Sequence, residues 1–114
     1  MGKALQFICN TCKKEERLYL GRGMIYLCDK NNNEQERVTF ICPECGLWKT
    51  SIIRIDNHNK RKCKNCKKDM IKFTHKDIRN EYKINLSKYP FLTKLKCTEC
   101  NGRLELQEYF ILWD

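Results

Sequence analysis

The chain has no long apolar run. None of its 114 residues lies in anything close to the ~20 consecutive apolar residues that a membrane-spanning helix requires. Met1 to Cys9 likewise holds no apolar stretch of signal-peptide length. These absences predict an intracellular protein, cytoplasmic or nuclear, with no membrane partner. Apolar residues are scarce throughout, at 41%, so the core is small. Halves of about 57 residues bury too little surface to offset chain entropy comfortably and need a staple. Histidine is nearly absent: His58 and His75 are the only two.

Cysteine is what the chain has instead. Eight of its nine cysteines fall in four pairs of one spacing: Cys9/Cys12, Cys42/Cys45, Cys63/Cys66 and Cys97/Cys100, with Cys28 alone. Two thiolates separated by two residues face one ion from a tight turn, and two such turns complete the tetrahedron that zinc prefers. The eight residues therefore predict two structural zinc ions, and neither histidine is needed as a ligand. A disulfide scaffold is the reading to weigh against this, but without a secretory signal such spacing reads as metal sites. Cys28 reads as a small buried hydrophobe.

The formal charge is +9. Eight thiolates would remove eight charges and two divalent ions restore four, leaving +5, still basic. Residues 1–57 carry nine Lys/Arg against seven Asp/Glu, and residues 58–114 carry fourteen against seven. The densest segment is Lys60-Arg61-Lys62-Cys63-Lys64-Asn65-Cys66-Lys67-Lys68, with six cations around one knuckle. Such a patch suits nucleic-acid phosphates, with affinity falling steeply as salt rises. The plainer reading is that these lysines balance the negative charge of a zinc-thiolate centre, and a third is contact with an acidic protein. Phe73, Tyr82, Tyr89 and Phe91 lie in the same half as candidate base-stacking rings, though a protein with so little apolar material needs most of them as core.

A 54-residue shift lays Cys9-Asn-Thr-Cys12-Lys-Lys over Cys63-Lys-Asn-Cys66-Lys-Lys and, one residue later, Cys42-Pro-Glu-Cys45 over Cys97-Thr-Glu-Cys100. A unit used twice should contain a complete site. This favours Cys9, Cys12, Cys42 and Cys45 for one ion and Cys63, Cys66, Cys97 and Cys100 for the other. Two rivals stand: a nested pairing, which joins the middle knuckles across 17 residues and the outer knuckles to each other, and a cross-brace. The repeat predicts units at 1–57 and 58–114, joined by the polar stretch 56–62.

Between the knuckles, Arg17–Leu20, Met24–Cys28, Arg37–Ile41, Leu47–Ile55 and Arg103–Leu112 read as strands. Thr74 and Asp77 form a capping-box-like pair that predicts a short helix over 75–83, and Ser87 and Pro90 predict a loop. The apolar run Tyr109–Trp113 reads as a strand closing the second sheet, or as an exposed docking edge. The class is a small metal-stabilised β-rich protein with a short helix in its second half.

Ile41-Cys-Pro-Glu-Cys-Gly46 resembles the CPxCG knuckle of the zinc-ribbon superfamily. The resemblance implies tandem four-cysteine zinc ribbons, with Gly46 at positive φ and amides donated to the sulfurs; Gly102 is displaced from the matching position by one residue. It further implies an accessory or regulatory role in transcription or nucleic-acid processing. Asp56-Asn57-His58 superficially resembles an HNH nuclease, but only four residues separate His58 from Cys63, too few for that motif. A rubredoxin-like carrier would have one iron site, not two.

With every metal position filled by thiolate, the expected protein is not an enzyme. The alternative to nucleic-acid binding is a protein-interaction module docking on a larger assembly, such as an RNA polymerase or a host target of a virus or mobile element.

Overall fold

The computed structural model describes residues 2–21, 27–28, 34–54, 60–78, 81, 84–107 and 111–113. Strand β1 is Gly2–Cys9, β2 Glu15–Leu20, β3 Leu27–Cys28, β4 Glu34–Ile41, β5 Trp48–Arg54 and β6 Ile71–Phe73. The helix α1 is His75–Ile78, a 3₁₀ helix spans Pro90–Lys94, and β7 (Leu104–Leu106) and β8 (Ile111–Trp113) end the chain.

These strands make two antiparallel sheets of the same plan. In the first, β1 is central, with β2 on one side and the short β7 and β8 on the other. In the second, β4 is central between β5 and the short β3 and β6. The registers also agree. Ile8, just before Cys9, pairs with Glu15, and Ile41, just before Cys42, pairs with Trp48. Each central strand thus runs into a knuckle, and the strand that leaves the knuckle folds straight back on it. Gly21 ties the two sheets together: it follows β2 and exchanges both backbone hydrogen bonds with Arg37 of β4, at 3.0 and 2.9 Å. Its φ of 99° is open to glycine and strained for other residues.

The main core draws on both sheets. Leu5, Phe7, Leu18 and Leu20 from β1 and β2 pack with Ile41, Phe73, Ile78, Leu92, Leu95 and Leu104. A smaller cluster of Val38, Phe40 and Ile53 lies elsewhere on the second sheet, with Met70 against it. Alternation explains the division within β4, since Phe40 and Ile41 are neighbours in sequence and point to opposite faces.

Most strands fall where the sequence predicts them, residues 24–26 of the Met24–Cys28 strand lying outside the described residues, with four differences. Strand β1 has no counterpart in the sequence reading, although Leu5, Phe7 and Cys9 are buried at the period-two spacing of a half-covered strand. The short β6 is also unforeseen. The stretch 103–112 contains two strands, and β8 closes the first sheet, against Gly2–Ala4, instead of the second. Helix α1 has four residues instead of the nine expected over 75–83; residues 79, 80, 82 and 83 lie outside the described residues. Its start is as predicted: the Thr74 amide and hydroxyl donate to the Asp77 carboxylate at 2.8 and 3.2 Å. Lys3 of β1 closes its other end, donating to the Ile78 carbonyl at 2.9 Å.

Candidate metal centres and the basic groove

All four knuckles have one backbone geometry. The amide four residues after each leading cysteine, from Lys13, Gly46, Lys67 and Asn101, donates back to that cysteine's carbonyl at 2.8–3.1 Å. All four of these residues are at positive φ, between 60° and 77°. Each leading cysteine's amide then reaches the carbonyl five residues on, in Lys14, Leu47, Lys68 and Gly102, at 2.7–2.9 Å. Gly46 meets the expected conformation; in the last knuckle Asn101 adopts it, and Gly102 serves a different purpose. A Cβ on Gly102 would lie 2.9 Å from Cys9 Sγ and 2.8 Å from Thr11 Oγ1, so glycine there lets two knuckles meet.

The thiols gather in two quartets, Cys9, Cys12, Cys97 and Cys100, and Cys42, Cys45, Cys63 and Cys66, each with all sulfurs within 4.8 Å of one another. The pairing is nested, which corrects the sequential pairing favoured by the repeat. Likeness between the first and third knuckles reflects the turn that each must make. Partner choice is made by strand pairing: β7 brings Cys97 and Cys100 to β1 through Cys9 opposite Leu104, and β6 brings Cys63 and Cys66 to β4 through Ile41 opposite Ile71. Each quartet and each sheet therefore draws on both sides of residue 57.

Sulfur separations are 3.4 Å for Cys9–Cys100, 3.7 Å for Cys12–Cys97 and 3.6 Å for Cys45–Cys63. A tetrahedral ion with metal–sulfur bonds of ~2.3 Å sets its ligands ~3.8 Å apart, whereas bonded sulfurs lie at ~2.05 Å. The quartets thus have the size of metal sites, and each could hold one ion, compatibly with zinc. Backbone amides already point at the sulfurs: Thr11 and Cys12 donate to Cys9 Sγ at 3.4 and 3.5 Å, and Gly102 to Cys100 Sγ at 3.4 Å.

Without metal the thiols divide the charge unequally. The Cys12 amide, helped by that of Thr11 and by the neighbouring thiols, outweighs burial and lowers Cys9 to about 6. The amides of Cys66 and Asn65 act likewise on Cys63, lowered to about 7. At Cys12 the Lys14 amide favours the thiolate, but burial and the three other thiols prevail and push it up to about 12. The Cys45 thiol, burial and Cys42 raise Cys66 to about 12. Four sulfurs this close cannot all ionise unless a cation shares the site. His75 belongs to neither quartet, and the side chains of Cys28, His58 and Tyr82 lie outside the described residues.

The predicted basic patch wraps the third knuckle. Lys60, Arg61, Lys62, Lys64, Lys67 and Lys68 are all exposed, but two are engaged. Lys68 pairs with Glu44 at 3.1 Å. Arg61 covers the Phe40 ring at 4.3 Å and donates to Ser51 Oγ at 2.8 Å. The candidate stacking rings are mostly core: Phe73 and Tyr89 are buried, and with the half-buried Phe91 they form an edge-to-face trio with centroids 5.3–6.2 Å apart. Besides the buried Phe40, the ring beside the patch is Trp48, which the sequence marks as a strand residue and not as a candidate stacking ring. It lines a groove of about 320 Å³ with Leu47, Met70, Lys49, Lys62 and Lys64. Its position two residues after the Gly46 turn, next to Lys49, was the available signal.

No family model, curated protein or solved structure matches the chain. Sheets and quartets alone define its class: a small β-rich metal-binding protein with two four-cysteine sites. Among the described residues no helix is long and apolar enough to cross a membrane.

Proposed function

We propose that the protein is a non-enzymatic, two-zinc nucleic-acid-binding protein of zinc-ribbon type, working as an accessory or regulatory factor in transcription or nucleic-acid processing. Zinc is the natural occupant of four thiolates in a tetrahedron, and with no ligand position left for water its role is structural. The observation that carries the reading is the exposure of Lys60, Lys62, Lys64 and Lys67 around the third knuckle, with no ion-pair partner among the described residues. If the lysines only balanced thiolate charge, the outer quartet should attract a comparable cluster. Its two knuckles together bring four flanking lysines, Lys13, Lys14, Lys94 and Lys96, and Lys14 is paired with Glu16 and Glu99.

The test is binding of zinc-loaded protein to single- and double-stranded DNA and RNA over a salt series, beside a variant with Lys60, Lys62, Lys64 and Lys67 changed to Glu. Affinity should fall by roughly 0.9 log units per log unit of salt for each duplex phosphate neutralised, and the variant should lose binding. Absence of binding at low salt would overturn the reading. A protein-docking module would then be favoured, since Ile52, 49% exposed on the outer strand β5, offers an apolar edge for another chain.

A further inference from the structure

We propose that the groove beside the third knuckle is a base-stacking site that makes the protein selective for single-stranded nucleic acid, with one unpaired base lying on Trp48. The inference rests on the nucleic-acid reading and adds the strand type and the contact to it.

The groove combines the two surfaces that a single strand needs, a flat apolar ring and flanking cations. Its volume, about 320 Å³, falls in the range of small-ligand sites, roughly 300–1,000 Å³. Leu47, Trp48 and Met70 give it apolar walls, and Lys49, Lys62 and Lys64 stand at its edge. All three lysines are exposed, so their ammonium groups can follow a phosphate backbone that passes the groove.

Trp48 is fixed before any ligand arrives. Its indole Nε1 donates to the Lys96 carbonyl at 2.9 Å, and the ring packs on the main core while staying half-exposed. The polar edge of the indole is thereby used within the protein, leaving ring surface for the groove. Phe40 cannot play this part, being 2% exposed beneath Arg61. Within a duplex both faces of a paired base are covered by its neighbours, so away from the duplex ends only an unpaired base can lie on the indole. Stacking reads no hydrogen-bond pattern, and the site should tolerate any base.

The chain has two tryptophans, so a Trp113→Phe variant leaves Trp48 as the sole indole reporter. The zinc-loaded variant is titrated with a short oligothymidine strand, an abasic strand of equal length and charge, and a duplex. The expected result is saturable quenching by oligothymidine alone, with affinity at least roughly tenfold above that for the abasic strand, the contribution of one stacked base. Equal affinity for base-bearing and abasic strands, or binding without quenching, would overturn the stacking site and leave the charge-based reading in place. If none of the three binds at low salt, both fall.

Discussion

A methyl group on Gly46 would lie 1.9 Å from the carbonyl oxygen of Lys94. The knuckle of the inner quartet thus rests on the segment that leads into the outer one, and the Lys96 amide donates to the Gly46 carbonyl at 3.2 Å. Replacing Gly46 with alanine adds this collision to a φ of 77°, which itself costs a non-glycine residue ~1–2 kcal/mol. We expect Gly46→Ala to lose about 2–4 kcal/mol of stability in denaturant titrations of the zinc-loaded protein, with both metal sites weakened.

The nested quartets can be told from sequential ones by counting ions. Under the nested pairing, Cys12→Ser with Cys100→Ser damages one site and leaves the other whole, whereas Cys12→Ser with Cys45→Ser damages both. Native mass spectrometry should find one zinc in the first double variant and little in the second. The reverse pattern would contradict the quartets.

Zinc uptake should release protons. Cys12 and Cys66 hold theirs up to about 12 without metal, yet both must be thiolates as ligands. At pH 7 each ion therefore displaces at least one proton, so affinity rises with pH and falls on acidification. Calorimetry in buffers of different ionisation enthalpy measures the number directly; a heat independent of buffer would refute it.

Lys13 occupies the same turn position as Gly46, at φ 64°, with an exposed side chain whose Nζ donates to the Asn10 carbonyl at 3.2 Å. Relief of the left-handed strain outweighs glycine's extra freedom in the unfolded chain. Lys13→Gly should gain about 0.5–1 kcal/mol, and Lys13→Ala should not. A Tm comparison of the two zinc-loaded variants decides it.

The ligands, most strands and the cap on α1 were legible because each is written locally, in a CxxC turn, a period-two run or the three residues from Thr74 to Asp77. The partner of each knuckle was not, because nothing in Cys63-Lys-Asn-Cys66 records that β6 will lie along β4. The repeat pointed the wrong way for the same reason: a knuckle's sequence specifies its backbone turn, and strand register specifies its neighbour. Trp48 was likewise legible as a strand residue, while its place beside Lys62 and Lys64 follows from long-range pairing alone.

The nesting also sets an order of assembly. Joining Cys45 to Cys63 closes a loop of 18 residues, whereas joining Cys12 to Cys97 closes one of 85. The longer closure costs about 1.4 kcal/mol more in chain entropy, and its second half is made after all four cysteines of the inner quartet. The inner quartet is therefore complete while β1 has β2 beside it but still waits for β7 and β8, and the first equivalent of metal given to the unfolded protein should settle there. The outer quartet acts as a clasp, engaged only once the C-terminal knuckle arrives.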